Sequence, residues 1–208
     1  MEARMSEFWP VIDIGYIDAC SWAIIPPRAG PSAPFEEWQD IEAWCRGYAV
    51  DLWADRELDP GPNGVDFVGG TLTRCAEAFC PPGTEHWLFL HLGHPADTPL
   101  PVCAAIGSSR GPGEETLRVL TEADDPNAIE RPVVKPFKSE RLGKGMTTFR
   151  YVQQDDSAHL LACVRYAWQV AEHGADVVMW TATDDVARLM SAGDDLEALA
   201  RSLAIWNP

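Results

Sequence analysis

The sequence lacks the short patterns that mark common metal and phosphate sites. It contains no CxxC and no HExxH pattern. The segment Gly143-Lys144-Gly145 has neither the spacing nor the following Ser or Thr of a phosphate-binding loop, and it is better interpreted as a hairpin turn. Ser108-Ser109 lies at the end of a predicted strand, and no obvious base accompanies it. We therefore expect a protein that is not an enzyme and holds no cofactor.

Lysine and long apolar runs are also scarce. The 208 residues include 16 basic and 32 acidic side chains, which give a net charge of −16. Such a charge excludes a nucleic-acid binder that works by bulk electrostatics. No apolar run approaches the ~20 residues that a membrane-spanning helix needs. Asp13 and Asp18 interrupt the first apolar stretch, unlike in a signal peptide, so we expect a cytoplasmic protein without membrane contact.

The six cysteines do not form a recognisable metal or redox pattern. They are Cys20, Cys45, Cys75, Cys80, Cys103 and Cys163. Without an export signal, reduced thiols are the expected state. Apolar neighbours around Cys103 and Cys163 favour burial, because a free cysteine packs as a small hydrophobe.

The remaining pattern predicts a single α+β domain over residues 22–208, with a mostly antiparallel sheet flanked by helices in an α/β/α sandwich. Residues 1–21 show no clean period and form either a docked arm or a disordered lead. Alternation and turn residues predict strands over 22–25, 85–93, 100–109, 129–137, 145–153, 159–171 and 175–182. Helical spacing predicts helices over 34–59, 71–79 and 112–123, and a closing helical region from Thr183 that Gly193 interrupts.

Charge is distributed unevenly along the chain. Residues 131–150 hold six basic residues against one acid, for a net charge of +5, so the other 188 residues carry −21. The window contains all three lysines of the chain. A basic hairpin on an acidic body is a candidate docking surface for an acidic partner. Its residues could equally neutralise carboxylates within the fold. They are Arg131, Lys135, Lys138, Arg141, Lys144 and Arg150.

Three of the five histidines, His86, His91 and His94, lie close together in the sequence and are weak candidates for a metal site. The spacing argues against such a site. His86 and His91 are five residues apart on one predicted strand, so they should face opposite sides of the sheet. His94 follows Gly93 at a turn. We therefore predict no native metal site.

From about residue 85 to residue 205, the order of elements resembles the PsbP-like α/β/α sandwich superfamily. Three features carry this resemblance: the turn Leu142–Gly145, the hairpin His159–Ala171/Ala175–Thr181 and the closing helix from Asp194 to Leu203. The resemblance implies a non-catalytic binding scaffold and supplies no active-site residues. The low lysine content beside abundant Ala, Arg, Asp and Gly resembles the composition of actinobacterial proteins.

Three functional hypotheses follow from the sequence, the third being a purely structural subunit of a larger assembly. The first is a non-enzymatic protein-binding module, an adaptor, chaperone-like or inhibitor-type (immunity-type) protein, that docks another protein through a charged and aromatic face. The second is a small-ligand-binding or metal-binding enzyme that uses His86, His91 and His94. The identity of the partner and self-association as a homo-oligomer stay open.

Overall fold

A computed structural model describes residues 11–15, 21–29, 40–111, 113–153 and 159–206. Nine strands and five α-helices follow one another in these parts of the chain, with a 3₁₀ turn at Ala171–His173. In chain order they are β1 (Val11–Ile14), β2 (Trp22–Ile25), α1 (Ile41–Asp55), α2 (Gly64–Phe79), β3 (Trp87–His91), β4 (Leu100–Ser108), α3 (Glu114–Leu120), β5 (Val133–Ser139), β6 (Gly143–Gln153), β7 (Leu160–Val170), β8 (Ala175–Thr183), α4 (Val186–Ser191), α5 (Gly193–Ser202) and β9 (Leu203–Trp206).

Seven of the strands form one antiparallel sheet in the order β2-β3-β4-β8-β7-β6-β5. The predicted α+β fold with a mostly antiparallel sheet is confirmed. The second half of the chain supplies β5 to β8, and these four strands are joined in sequence by three hairpins as a meander. Alternating side chains divide each strand between two faces of the sheet.

The two faces of the sheet bury different layers. On one face, Trp168, Val177 and Met179 pack under α4, α5 and the small β1–β9 sheet. On the other face, Leu88, Leu90 and the helix pair α1–α2 form a second core that includes Cys103 of β4. We call the first the α5 face and the second the α1–α2 face. The predicted sandwich of helices on both sides of a sheet is therefore present.

The helix pair α1–α2 differs in its limits from the predicted helices. Asp40 caps α1 by accepting a hydrogen bond from Ala43 N at 2.9 Å, and residues 34–39 of the predicted helix lie outside the described residues. The second helix begins at Gly64 rather than Thr71. The sequence did not predict the first turns of this helix, because Gly69 and Gly70 have low helix propensity. Packing explains Gly69: a Cβ there would lie 3.2 Å from the Cα of Arg46 in α1.

The strand pair β1–β9 was not predicted. Val11–Ile14 pairs antiparallel with Leu203–Trp206, so this part of the N-terminal segment is docked. Residues 1–10 and 16–20 lie outside the described residues. These two strands are almost the whole chain apart in sequence, so no local sequence pattern indicates that they pair. The last strand also follows directly on α5, without a turn residue to mark where it begins. Gly193 marks the boundary between α4 and α5, as the sequence predicted, and Asp185 rather than Thr183 caps α4.

Gly145 tests the packing of β6 against β7. A Cβ at this position would lie 2.3 Å from the carbonyl oxygen of Ala167 and 2.7 Å from the indole of Trp168, which is fully buried. We expect Gly145→Ala to lower the free energy of unfolding by about 1–3 kcal/mol, since overpacking shifts backbone and side chains. Urea denaturation of the variant and of the wild type measures this difference in the free energy of unfolding.

The control is Gly107→Ala in β4, where a Cβ meets no atom within 4 Å. It should leave the midpoint of denaturation nearly unchanged. Equal destabilisation by the two substitutions would contradict the close approach at Gly145.

Candidate functional site

A groove of about 1040 Å³ lies between α3 and the β5–β6 hairpin. Part of the basic segment, residues 131–150, lines this concave surface. Its apolar lining includes Leu117, Val134, Pro136 and Met146. Its basic lining includes Lys135, Lys138 and Lys144. We call these seven residues the basic groove.

The loop that leads into α3 is held by two side chains from adjacent sheet positions, Gln169 on β7 and Asp176 on β8. Gln169 accepts a hydrogen bond from Gly113 N at 2.9 Å and donates one to the carbonyl of Gly111. Asp176 accepts from Arg110 N at 2.9 Å and from the Ser109 hydroxyl at 3.2 Å. These bonds fix the loop that leads into the groove wall.

The last turn of α3 is held by a charged network on the α1–α2 face. Glu122 forms ion pairs with Arg150 of β6 and with Arg165 of β7, the latter at 2.7 Å. Asp125 accepts from Arg150 Nε at 2.9 Å. The side chain of Arg150 is only 7% exposed, so its charge must be paired within the fold. The network fixes α3 at the distance from β6 that leaves the groove open.

Hydrogen bonds between neutral groups reinforce the same contact. The Thr148 hydroxyl donates to the Thr121 carbonyl at 2.6 Å, and the Thr121 hydroxyl donates to the Leu117 carbonyl at 2.7 Å. Both threonines are buried. A short helix of seven residues is thereby held by side chains from the sheet, because its own propensity could not stabilise it.

The lysines of the groove carry uncompensated charge. Lys138 on β5 stands directly opposite Lys144 on β6, and both are exposed. Like charges at directly opposed positions are destabilising. Among the described residues, none of the three lysines has an ion-pair partner. Glu114 is the acidic residue of the lining, and Arg118 of the same lining is paired with Asp124 at 2.8 Å.

The other residues of the predicted basic surface have different surroundings. Arg131 is exposed. Arg141 is exposed too, but it pairs with Asp13 of β1 at 2.9 Å and donates to the Ser202 carbonyl at 3.2 Å. Arg150 is buried in the network described above and does not belong to an exposed surface. The neutralising role that the sequence left open therefore applies to Arg141 and Arg150, whereas the three lysines remain available.

The sequence pattern did not identify the residues that complete the groove. Leu117 and Arg118 come from α3, and Gln169 comes from β7. The predicted helix over 112–123 contained the first two, but nothing local indicates that this helix packs beside the basic hairpin. It is placed there by long-range contacts, among them those of Arg150 and Arg165 with Glu122.

The three histidine candidates are not brought together. His86 lies 2.7 Å from the Phe79 carbonyl, His94 contacts the edge of Trp53, and His91 lies on the α5 face against Trp22. Among the described residues, no group of three His, Cys, Asp or Glu side chains could hold a metal ion.

His91 has the most unusual surroundings of the three. Its Nε2 donates to Asp195 at 2.8 Å, since an ionised carboxylate can only accept, and its buried Nδ1 has no hydrogen-bond partner within the part of the chain that the structure describes. Arg188 donates to the His91 carbonyl at 3.0 Å. Burial lowers the pKa of His91. The hydrogen bond to Asp195 opposes this shift, while the charges of Arg188 and Arg56 add to it.

The described cysteines are free thiols, and Cys20 lies outside the described residues. Burial raises the pKa of Cys45 to about 11 and that of Cys103 to about 12. These groups are protonated thiols at neutral pH and poor nucleophiles. Burial was correctly predicted for Cys103 and Cys163.

The segment Gly107–Gly111 fits the GxSxG spacing of a nucleophile elbow, and it lies between β4 and α3. Its chemistry differs from that of an elbow. The Ser109 hydroxyl bonds to Asp176 and to Gly111 N, and it makes no hydrogen bond to a histidine among the described residues. Ser109 therefore anchors the loop in front of α3 through Asp176.

Comparison with known proteins gives no relative for the chain: no family model matches it, and searches of curated proteins and of solved structures return no match. The resemblance to the PsbP-like sandwich stays a prediction. Among the described helices, none is long and apolar enough to cross a membrane.

Substitution of Glu122 tests whether the charged network holds the groove wall. We expect Glu122→Gln to lower the free energy of unfolding by about 1–3 kcal/mol, because it removes the charge that two guanidinium groups share. Urea denaturation gives this value, and hydrogen exchange should rise in α3 before the rest of the sheet. Asp124→Asn is the control, since Asp124 pairs with Arg118 at the surface. Equal effects of both changes would contradict the account.

Acid sensitivity should arise from His91. Because its pKa is lowered in the folded protein, the unfolded chain binds a proton first as the pH falls. The resulting stability is present above the unfolded pKa near 6.5 and is lost below it, at no more than about 1.4 kcal/mol per pH unit. We expect His91→Gln, which keeps a donor for Asp195, to flatten the curve of stability between pH 7.5 and 5.5. The exposed His159→Gln should retain the wild-type slope, and parallel curves for all three proteins would exclude His91 as the cause.

Proposed function

We propose that this chain is a protein-binding module, without catalytic function of its own, which docks a negatively charged partner protein through the basic groove. One observation carries the proposal. Lys138 and Lys144 stand opposite each other without a described counter-charge, beside an apolar groove, on a chain whose net charge is −16.

The charge arrangement favours binding over a purely structural role. Two opposed lysines on neighbouring strands lower the stability of the free protein. An anionic partner would turn this repulsion into attraction and would also be steered towards the groove. The anchoring of α3 at both ends keeps the groove formed before the partner arrives, which lowers the entropic cost of docking.

Protection of a sheet edge explains only part of the pattern. Lysine and proline on an edge strand hinder edge-to-edge aggregation, and Lys135, Pro136 and Lys138 all lie on the edge strand β5. Lys144, however, lies on β6, which β5 and β7 flank on both sides. The charge of Lys144 therefore does not protect a sheet edge from aggregation. It adds to the electrostatic repulsion that Lys138 experiences.

The state of the cysteines favours a reducing compartment. The five described cysteines are free thiols, whereas proteins of oxidising compartments commonly use such residues in disulfides. A cytoplasmic adaptor or inhibitor fits these features. The resemblance to the PsbP-like sandwich, which implies a binding scaffold, points in the same direction.

A photo-crosslinking amino acid placed in the groove tests the proposal. Val134 lines the groove, whereas Val50 is half exposed on α1, which packs on a different part of the α1–α2 face. In the cells that make this protein, we expect the probe at position 134, but not at position 50, to give one discrete adduct with another polypeptide. Gel shift and mass spectrometry identify it.

Charge reversal supplies the second arm of the test. K138E/K144E should abolish the adduct at position 134, while R46E/R74E on α1 and α2 changes the net charge equally and should retain it. No adduct at position 134, or an adduct that survives K138E/K144E, would contradict the proposed function. Arg141 is left unchanged because it holds β1 through Asp13.

A further inference from the structure

We infer that the element which fills the basic groove is an acidic peptide segment carrying at least one apolar side chain, and that it docks through its side chains rather than as an added strand. This inference rests on the proposed function and specifies the partner. It draws on the charges of the groove, on its apolar lining and on the backbone of β5.

The charged part of the groove fits carboxylates. Side chains at directly opposed strand positions have Cβ atoms about 5 Å apart, so the ammonium groups of Lys138 and Lys144 can reach carboxylates on one short segment. The ammonium group of lysine is a compact charge on a flexible side chain. It binds anions by their charge and does not require a planar group as the arginine fork does. The arginine in the lining, Arg118, is already paired with Asp124, so no free guanidinium fork among the described lining residues is set to select phosphate.

The apolar part of the groove requires a second feature in the partner. Leu117, Val134, Pro136 and Met146 line the same space as the lysines. Exposed lysine–carboxylate pairs contribute little when they act alone and are screened by salt. An apolar side chain that covers this lining adds affinity which salt does not remove.

The backbone of β5 opposes strand addition. Ile129 N donates to the Tyr151 carbonyl, so the odd-numbered residues of β6 direct their backbone groups towards β5. Pro136 opposes Met146 and therefore lies at a position whose backbone nitrogen faces the outer edge. That nitrogen has no hydrogen to donate. An added strand would lose a hydrogen bond at the centre of β5, so the groove must recognise side chains.

Fluorescence anisotropy with synthetic peptides tests the inference on the whole chain. The probe is a labelled dodecapeptide of Glu and Asp with two Leu and one Trp. Two reference peptides replace these three residues by Ser, or the acids by Gln and Asn. We expect the first peptide to bind at least tenfold more tightly than either reference. Equal binding of the serine peptide would overturn the apolar requirement, and equal binding of the neutral peptide would overturn the acidic one.

Variants locate the binding. K138E/K144E should weaken the first peptide at least tenfold, while R46E/R74E, with the same change in net charge, should stay within twofold. Val134→Asn should weaken binding at least fivefold, while Val133→Asn, on the opposite face of β5, should not. Circular dichroism confirms that each variant is folded. Equal loss in the matched pairs would place the peptide elsewhere and overturn the inference.

Backbone methylation distinguishes side-chain docking from strand addition. The same peptide with alternate backbone amides methylated should bind within twofold, because no main-chain hydrogen bond is used. Loss of binding would establish strand addition instead. Light scattering at the same protein concentrations should show a monomer, and a dimer that K138E/K144E dissociates would make a second copy of the chain the occupant. If no peptide binds while the adduct at position 134 persists, the inference fails and the proposed function stands; if both are absent, both fail.

Discussion

Glu122 accepts from guanidinium groups on two adjacent strands, and the position of α3 depends on this shared ion pair. Arg150 is buried and Arg165 is partly buried, so the shared carboxylate offsets part of the cost of removing these two charges from water. The contact holds the C-terminal end of a seven-residue helix against β6 and β7, while Gln169 and Asp176 hold the loop at its other end. The wall of the basic groove is therefore built from buried polar contacts that the sheet supplies.

The basic residues of the β5–β6 hairpin fall into two groups, one with ion-pair partners and one without a described partner. Those that face α3 or β1 are paired: Arg150 with Glu122 and Asp125, and Arg141 with Asp13. The three lysines lie beside them on the same hairpin and have no such partner among the described residues. The chain has twice as many acidic as basic residues, so lysines without a described ion-pair partner are the feature that distinguishes this surface.

The sequence predicted the sheet better than it predicted the site. Alternation of Thr147, Phe149 and Tyr151 marks β6. A turn joins β6 to β5 as expected, but it spans only residues 140–142, because Gly143 and Lys144, predicted as part of the turn, already pair with β5. The basic window was also visible. The burial of Arg150 was not, because it depends on acids that a helix 30 residues upstream brings into place. The strands β1 and β9 were missed for the same reason, since each finds its partner at the far end of the chain.

The three lysines of the groove are the only lysines of the chain, which allows one direct measurement. Reductive methylation with ¹³C labels them and the amino terminus while it keeps the positive charge. Three lysine signals should be resolved by NMR. Titration with the acidic, apolar dodecapeptide should shift those of Lys138 and Lys144 along one binding curve, and shift that of Lys135 less, because its side chain alternates to the other face of β5. If the signals of Lys138 and Lys144 stay in place at saturating peptide, or move along unrelated curves, the binding site that these two lysines form would be contradicted.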